Sequence, residues 1–71
     1  MSNDSFRQTF TVTGMTCGHC VASVAEEVQE ISGVQDVAVD LPTGAVTITS
    51  AAPLDESAVR AAVEEAGYQL A

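Results

Sequence analysis

There is no lysine in this chain and no tryptophan, and two arginines stand against ten carboxylates. A surface with a formal charge of −8 has no cationic footprint to displace phosphate counterions, which excludes nucleic-acid binding. The same deficit argues against docking on an anionic membrane surface. No apolar run approaches the roughly 20 residues of a membrane span. Met1-Ser2-Asn3-Asp4-Ser5 lacks the basic and apolar regions of a secretory leader. The expectation is a cytoplasmic protein with no membrane insertion.

Aromatics are scarce too: Phe6, Phe10 and Tyr68 are the only three. What fills the apolar 46% is small, with 11 alanines and 10 valines. That is enough to exclude intrinsic disorder, which pairs high net charge with little apolar content. With 71 residues there is room for one domain, residues 1–71, structured over about 6–71. A chain of this size buries only ~60% of its unfolded surface, so a thin, valine-dominated core is expected.

Residues 6–13 alternate, with Phe6, Gln8, Phe10 and Val12 on one face, and read as a half-buried strand ending at Gly14. From about Gly18 to Ile31, Val21, Val24, Ala25, Val28 and Ile31 form one stripe of an amphipathic helix. Glu26, Glu27 and Glu30 fall on its wet side, and Gly33 is placed as its left-handed C-terminal residue. Val37, Val39 and Leu41 mark a second strand. The turn Leu41-Pro42-Thr43-Gly44 then leads to a third strand with Val46 and Ile48 on one face. Asp55 is the expected N-cap of a second helix that buries Val59, Ala62, Val63 and Ala66 and stops at Gly67. Tyr68-Gln69-Leu70-Ala71 closes the chain as a short strand. The order βαββαβ predicts an α+β, ferredoxin-like open sandwich: a four-stranded antiparallel sheet with two helices on one face.

Both cysteines, Cys17 and Cys20, lie in Gly14-Met15-Thr16-Cys17-Gly18-His19-Cys20, the link between first strand and first helix. In a reducing compartment a C-x-x-C pair is more often metal-binding or catalytic than a structural staple. Next to a helix N-terminus, the unsatisfied N–H groups and the dipole favour the thiolate. Two thiolates suit a soft monovalent ion such as Cu(I), and Ag(I) or Hg(II) meets the same donors. A linear S–metal–S unit with bonds of ~2.3 Å needs sulfurs roughly 4.6 Å apart. A disulfide needs ~2.05 Å, and Gly18 between the cysteines allows either. Only two thiolates are on offer, so an ion held there stays open to a partner's thiolate.

The stretch from Gly14 to Cys20 matches the G-M-x-C-x-x-C signature, and with the βαββαβ order the chain resembles the heavy-metal-associated domain and its small bacterial CopZ-type copper chaperones. The likeness covers about residues 6–71. It implies a non-enzymatic carrier with Cu(I) on Cys17 and Cys20, delivering copper to a copper-transporting P-type ATPase. It also implies that Met15 packs beneath the loop as support, and it puts Tyr68 where bacterial relatives carry tyrosine. His19 reads as an exposed loop residue with a supporting rather than a ligating role. The departure from the eukaryotic pattern is charge: without lysine, docking through a lysine-rich face is excluded. Met1 and an end at the fourth strand favour a free-standing protein over a domain of an ATPase. Other readings of the loop are a thiol–disulfide oxidoreductase, which the absence of tryptophan before the first cysteine disfavours, and a mercury-binding relative. Exposed dithiolate sites can also share copper between two copies.

Overall fold

Alternation of polar and apolar side chains over Phe6–Thr13 produces the first strand, β1, in a computed structural model that describes residues 5–16 and 18–71. Helix α1 follows over Gly18–Gln29, then β2 (Val34–Asp40), β3 (Ala45–Ser50), α2 (Glu56–Glu65) and β4 (Gln69–Leu70). The sheet order is β2-β3-β1-β4 with every neighbouring pair antiparallel. The expected ferredoxin-like arrangement is therefore present.

Period two in the strands and 3.6 in the helices aim the branched residues at one another. Val12 of β1 and Val46 and Ile48 of β3 meet Val24 and Val28 of α1 and Val59 and Val63 of α2 in one buried cluster. Burying each such side chain contributes roughly 1.5–3 kcal/mol. Both helices thus lie on the same face of the sheet. The opposite face carries short polar side chains, including the Thr9 and Thr47 hydroxyls 3.1 Å apart. Ser50 is fully buried on the core side of β3, and its hydroxyl donates to the Ala52 carbonyl at 2.7 Å, so it is not left unpaired.

Some boundaries differ from the sequence expectation. Helix α1 ends at Gln29, not Ile31; the Glu30 and Ile31 N–H groups donate to Glu27 and Val28 carbonyls, a tightened last turn. Gly33 does have a positive φ, but it lies in the turn before β2 rather than at the helix terminus. Leu41 falls outside β2, in the turn whose Gly44 N–H closes back on the Asp40 carbonyl at 2.8 Å. Asp55 is the N-cap of α2, yet its side chain makes no capping bond; its carbonyl receives the Ala58 and Val59 N–H groups. Phe6 shares the face assigned to it but is 45% exposed, at the outer end of β1. Gln8, polar on the same face, explains itself by its partners. Its Oε1 accepts the Leu54 N–H at 2.8 Å and its Nε2 donates to the Leu54 carbonyl at 3.3 Å.

Candidate metal centre

The loop begins where β1 loses its pairing. Thr13 is the last residue of β1 and sits opposite Gln69 of β4, with its hydroxyl donating to the Gln69 carbonyl at 3.3 Å. Gly14 then turns the chain with φ +93°, a conformation other residues rarely adopt. Met15 is half-buried and packs against the core cluster, while Thr16 is exposed. The expected ligand Cys17 lies outside the described residues. Gly18 opens α1, so His19 and Cys20 belong to its first turn, His19 exposed and Cys20 half-buried. The Thr16 hydroxyl lies 3.9 Å from the Cys20 sulfur. The His19 carbonyl accepts the Ser23 hydroxyl at 3.3 Å, an ordinary bond within the helix.

No carboxylate stands in the first turn of α1, so the partial positive charge of the helix N-terminus is uncompensated beside Cys20. Among the described residues no three His, Cys, Asp or Glu side chains gather into a metal-holding group. The acidic side chains sit elsewhere. On α1, desolvation and then repulsion from Glu30, Glu65 and Glu26 push the Glu27 carboxyl above the usual carboxylate range. At the loop itself neither arginine is close by sequence or pairing: Arg60 pairs with Glu56 at 2.7 Å, and Arg7 stands seven residues before Gly14, roughly 23 Å along the strand.

Tyr68 reaches the loop from the far end of the chain. Its ring rests on Gly14, where a Cβ would come within 3.3 Å of the Tyr68 Cδ1. The two residues share the rim of an open hollow with Thr13, Gly67 and Gln69. The structure therefore brings Tyr68 and Met15 to the loop's first residues and leaves His19 on the outer surface. The Gly14–Tyr68 contact is not visible in hydropathy, because glycine carries no apolar signal. Its trace in the sequence is the Gly67-Tyr68 pair straight after a helix.

The heavy-metal-associated domain model matches residues 9–69. The copper chaperone CopZ of Enterococcus hirae is 42% identical, with 89% of this chain and 93% of that protein covered. A solved CopZ metallochaperone superposes with a TM-score of 0.85 at 30% identity, covering 93% of this chain and all of that one. Copper-transporting ATPase 1 of Rhizobium meliloti is 38% identical over 89% of this chain, which spans only 8% of that much longer protein. By the extent of these matches, the chain belongs to the heavy-metal-associated domain family.

Proposed function

We propose that this chain is a cytoplasmic Cu(I) carrier, a single domain over residues 1–71, that takes the ion on the thiolates of Cys17 and Cys20 and hands it to a copper-transporting P-type ATPase. The observation that carries the reading is the setting of the cysteine motif: it opens onto a helix N-terminus without a carboxylate, in a chain of a family whose near-full-length relatives are named copper chaperones. Thiolates select soft ions over the harder cations of the cell. Ag(I) and Hg(II) share that preference, and a copper-fed cell supplies Cu(I).

Transfer proceeds without electron flow. A thiolate of the acceptor adds to copper, the ion becomes three-coordinate, and Cys17 or Cys20 leaves and takes up a proton. A second exchange completes the release, and copper remains Cu(I) throughout. Met15 supports the loop from the core side, Tyr68 walls it, and His19 stays at its outer rim. An acceptor ATPase with a domain of this family, as the Rhizobium meliloti relative has, would meet the carrier with a matching fold. With excess copper and no acceptor, two copies can share the ion between their cysteine pairs.

The test is metal content after anaerobic purification from copper-fed cells, together with competition against a chromophoric Cu(I) chelator. Stoichiometric copper is expected in the wild type. Cys17→Ser or Cys20→Ser should lower affinity by orders of magnitude, since one thiolate and an open position remain. Near-native affinity in either variant overturns the two-thiolate site. Turnover of a model disulfide by the copper-free protein would instead favour an oxidoreductase.

A further inference from the structure

We propose that the first half of β1 is an open sheet edge through which two copies of this chain pair, β1 against β1, with no part played by copper or the cysteines. The inference goes beyond the carrier reading and does not depend on it.

The edge follows from the register. β3 pairs with β1 from Phe6 to Thr11, whereas β4 pairs only with Val12 and Thr13. The Val12 N–H donates to the Gly44 carbonyl at 2.8 Å, and the Ala71 N–H donates to the Thr11 carbonyl at 2.8 Å. Residues of an antiparallel strand turn their backbone groups to alternate sides, so even-numbered residues of β1 bond toward β3 and odd-numbered ones toward β4. The N–H and C=O groups of Arg7 and Thr9 therefore point past the end of β4, where no strand among the described residues meets them. A row of such groups is a template for another extended chain. Beside it lies an open hollow of about 420 Å³ lined by Thr9, Phe10, Thr11, Glu56, Leu70 and Ala71. Ser5, just before β1, donates its hydroxyl to Gln35 of β2 at 3.0 Å, toward the opposite edge of the sheet.

The occupant is a second copy because this window complements itself. Set antiparallel about Gln8, Arg7 of each copy stands opposite Thr9 of the other, and the four backbone groups on each side all find partners. Phe6, 45% exposed, then stands opposite Phe10 of the second copy, on the face of the sheet that carries the helices. The charges agree. Each copy carries −8, yet both arginines stand near this edge: Arg7 within it, and Arg60 on α2, bonded to Glu56 of the hollow. Pairing brings Arg7 to the hollow that Glu56 of the second copy lines. Five residues a side fall short of the ~1,000 Å² of a lasting interface, so the association is transient. Gly14 lies six residues beyond Gln8, which sets the two cysteine loops roughly 40 Å apart at opposite ends of the pair. Both loops stay open, and such a pair cannot share one ion between its cysteines.

The test uses the full, copper-free chain under reducing conditions, at an ionic strength of about 0.1 M that damps the long-range repulsion of two acidic copies. Sedimentation between about 10 μM and about 1 mM should show the mass rising toward that of a dimer. Over the same range, hydrogen exchange at the Arg7 and Thr9 amides should slow, while the Gln8 and Phe10 amides, already bonded to β3, should not respond. Thr9→Pro removes an edge N–H without touching the β3 ladder and should stay monomeric. Arg7→Glu keeps the backbone intact and should weaken association by about tenfold or more, so the test stands even where the proline variant fails to fold. Cys17→Ser and Cys20→Ser should associate as the wild type does. A wild type that stays monomeric throughout, or protection that appears on β2 instead of at Arg7 and Thr9, overturns the proposal. So does an association that requires copper or is lost in the cysteine variants, which would be a metal-bridged pair. None of these results bears on the carrier reading, which rests on copper content and affinity.

Discussion

Glu27 is the residue where the excess of negative charge becomes local. Half-buried on α1, it has Glu30 and Glu26 on its own helix and Glu65 on α2 for company, each repelling its charged form. Because its carboxyl titrates above the usual range, the folded state binds the proton more tightly than the unfolded chain does. Stability attributable to Glu27 is therefore lost as pH rises through the carboxylate range and regained on acidification through the raised folded value. We expect Glu27→Gln to raise the melting temperature at neutral pH and to flatten the slope of stability against pH from the usual carboxylate range upward. Thermal melts of both proteins across that interval check it; parallel slopes would mean that the neighbouring charges are too well solvated to matter. Copper affinity should not respond, since Glu27 lies in the third turn of α1, away from the loop. The sequence shows the glutamates as a wet face, and that is largely what they are. The repulsion that Glu65 exerts across the helices was not legible, because only packing brings α2 alongside α1.

At the scale of elements, the regular pieces were legible for a simple reason. Valine and alanine at i, i+3, i+4 and i+7 leave one way to bury a helix, and alternation leaves one way to bury a strand. Where the pattern stops, boundary residues are set by hydrogen bonds that hydropathy does not encode, as at Gln29 and Leu41. Gln8 belongs to the same class. Its position marks it as inward, its chemistry marks it as outward, and the resolution lies 46 residues away at Leu54. The side-chain amide there acts as a short piece of strand, pairing both backbone groups of the segment that leads into α2. Gln8→Ala should leave those groups unpaired and cost about 1–3 kcal/mol. Urea unfolding measures this, and faster hydrogen exchange at the Leu54 amide should accompany it. The place of the cysteine motif, between β1 and α1, was equally legible. The glycine and tyrosine that shape the loop were legible only as residues, not as partners.

For the whole molecule, the formal charge of −8 governs encounter more than affinity. Arg7 lies at the far end of β1 and Arg60 is engaged with Glu56, whereas Glu64 and Glu65 close α2 four and three residues before Tyr68, whose ring rests on Gly14 of the loop. Transfer requires only a brief contact, so steering by charge sets its rate. We expect copper transfer to a basic acceptor surface to slow as ionic strength rises toward 0.1 M, where the screening length is about 10 Å. Glu64→Gln with Glu65→Gln should slow it further at low salt than Glu26→Gln with Glu27→Gln, and neither pair should change Cu(I) affinity. Stopped-flow transfer to a chelating acceptor domain gives the rates. Rates that rise with salt would show that docking is not electrostatic.

The strand order β2-β3-β1-β4 also dictates a timetable. The hairpin of β2 and β3 closes over a four-residue turn, while β1 must find β3 across nearly forty residues, as the pairing of Thr9 with Thr47 shows. Local pairings form before distant ones because closing a long loop costs entropy first. The wall that Tyr68 raises against Gly14 comes later still, since a ribosome delivers both cysteines some fifty residues before that ring. A nascent chain thus carries a flexible dithiol long before it carries a shaped site, and an ion caught at that stage is held by an unfolded ligand.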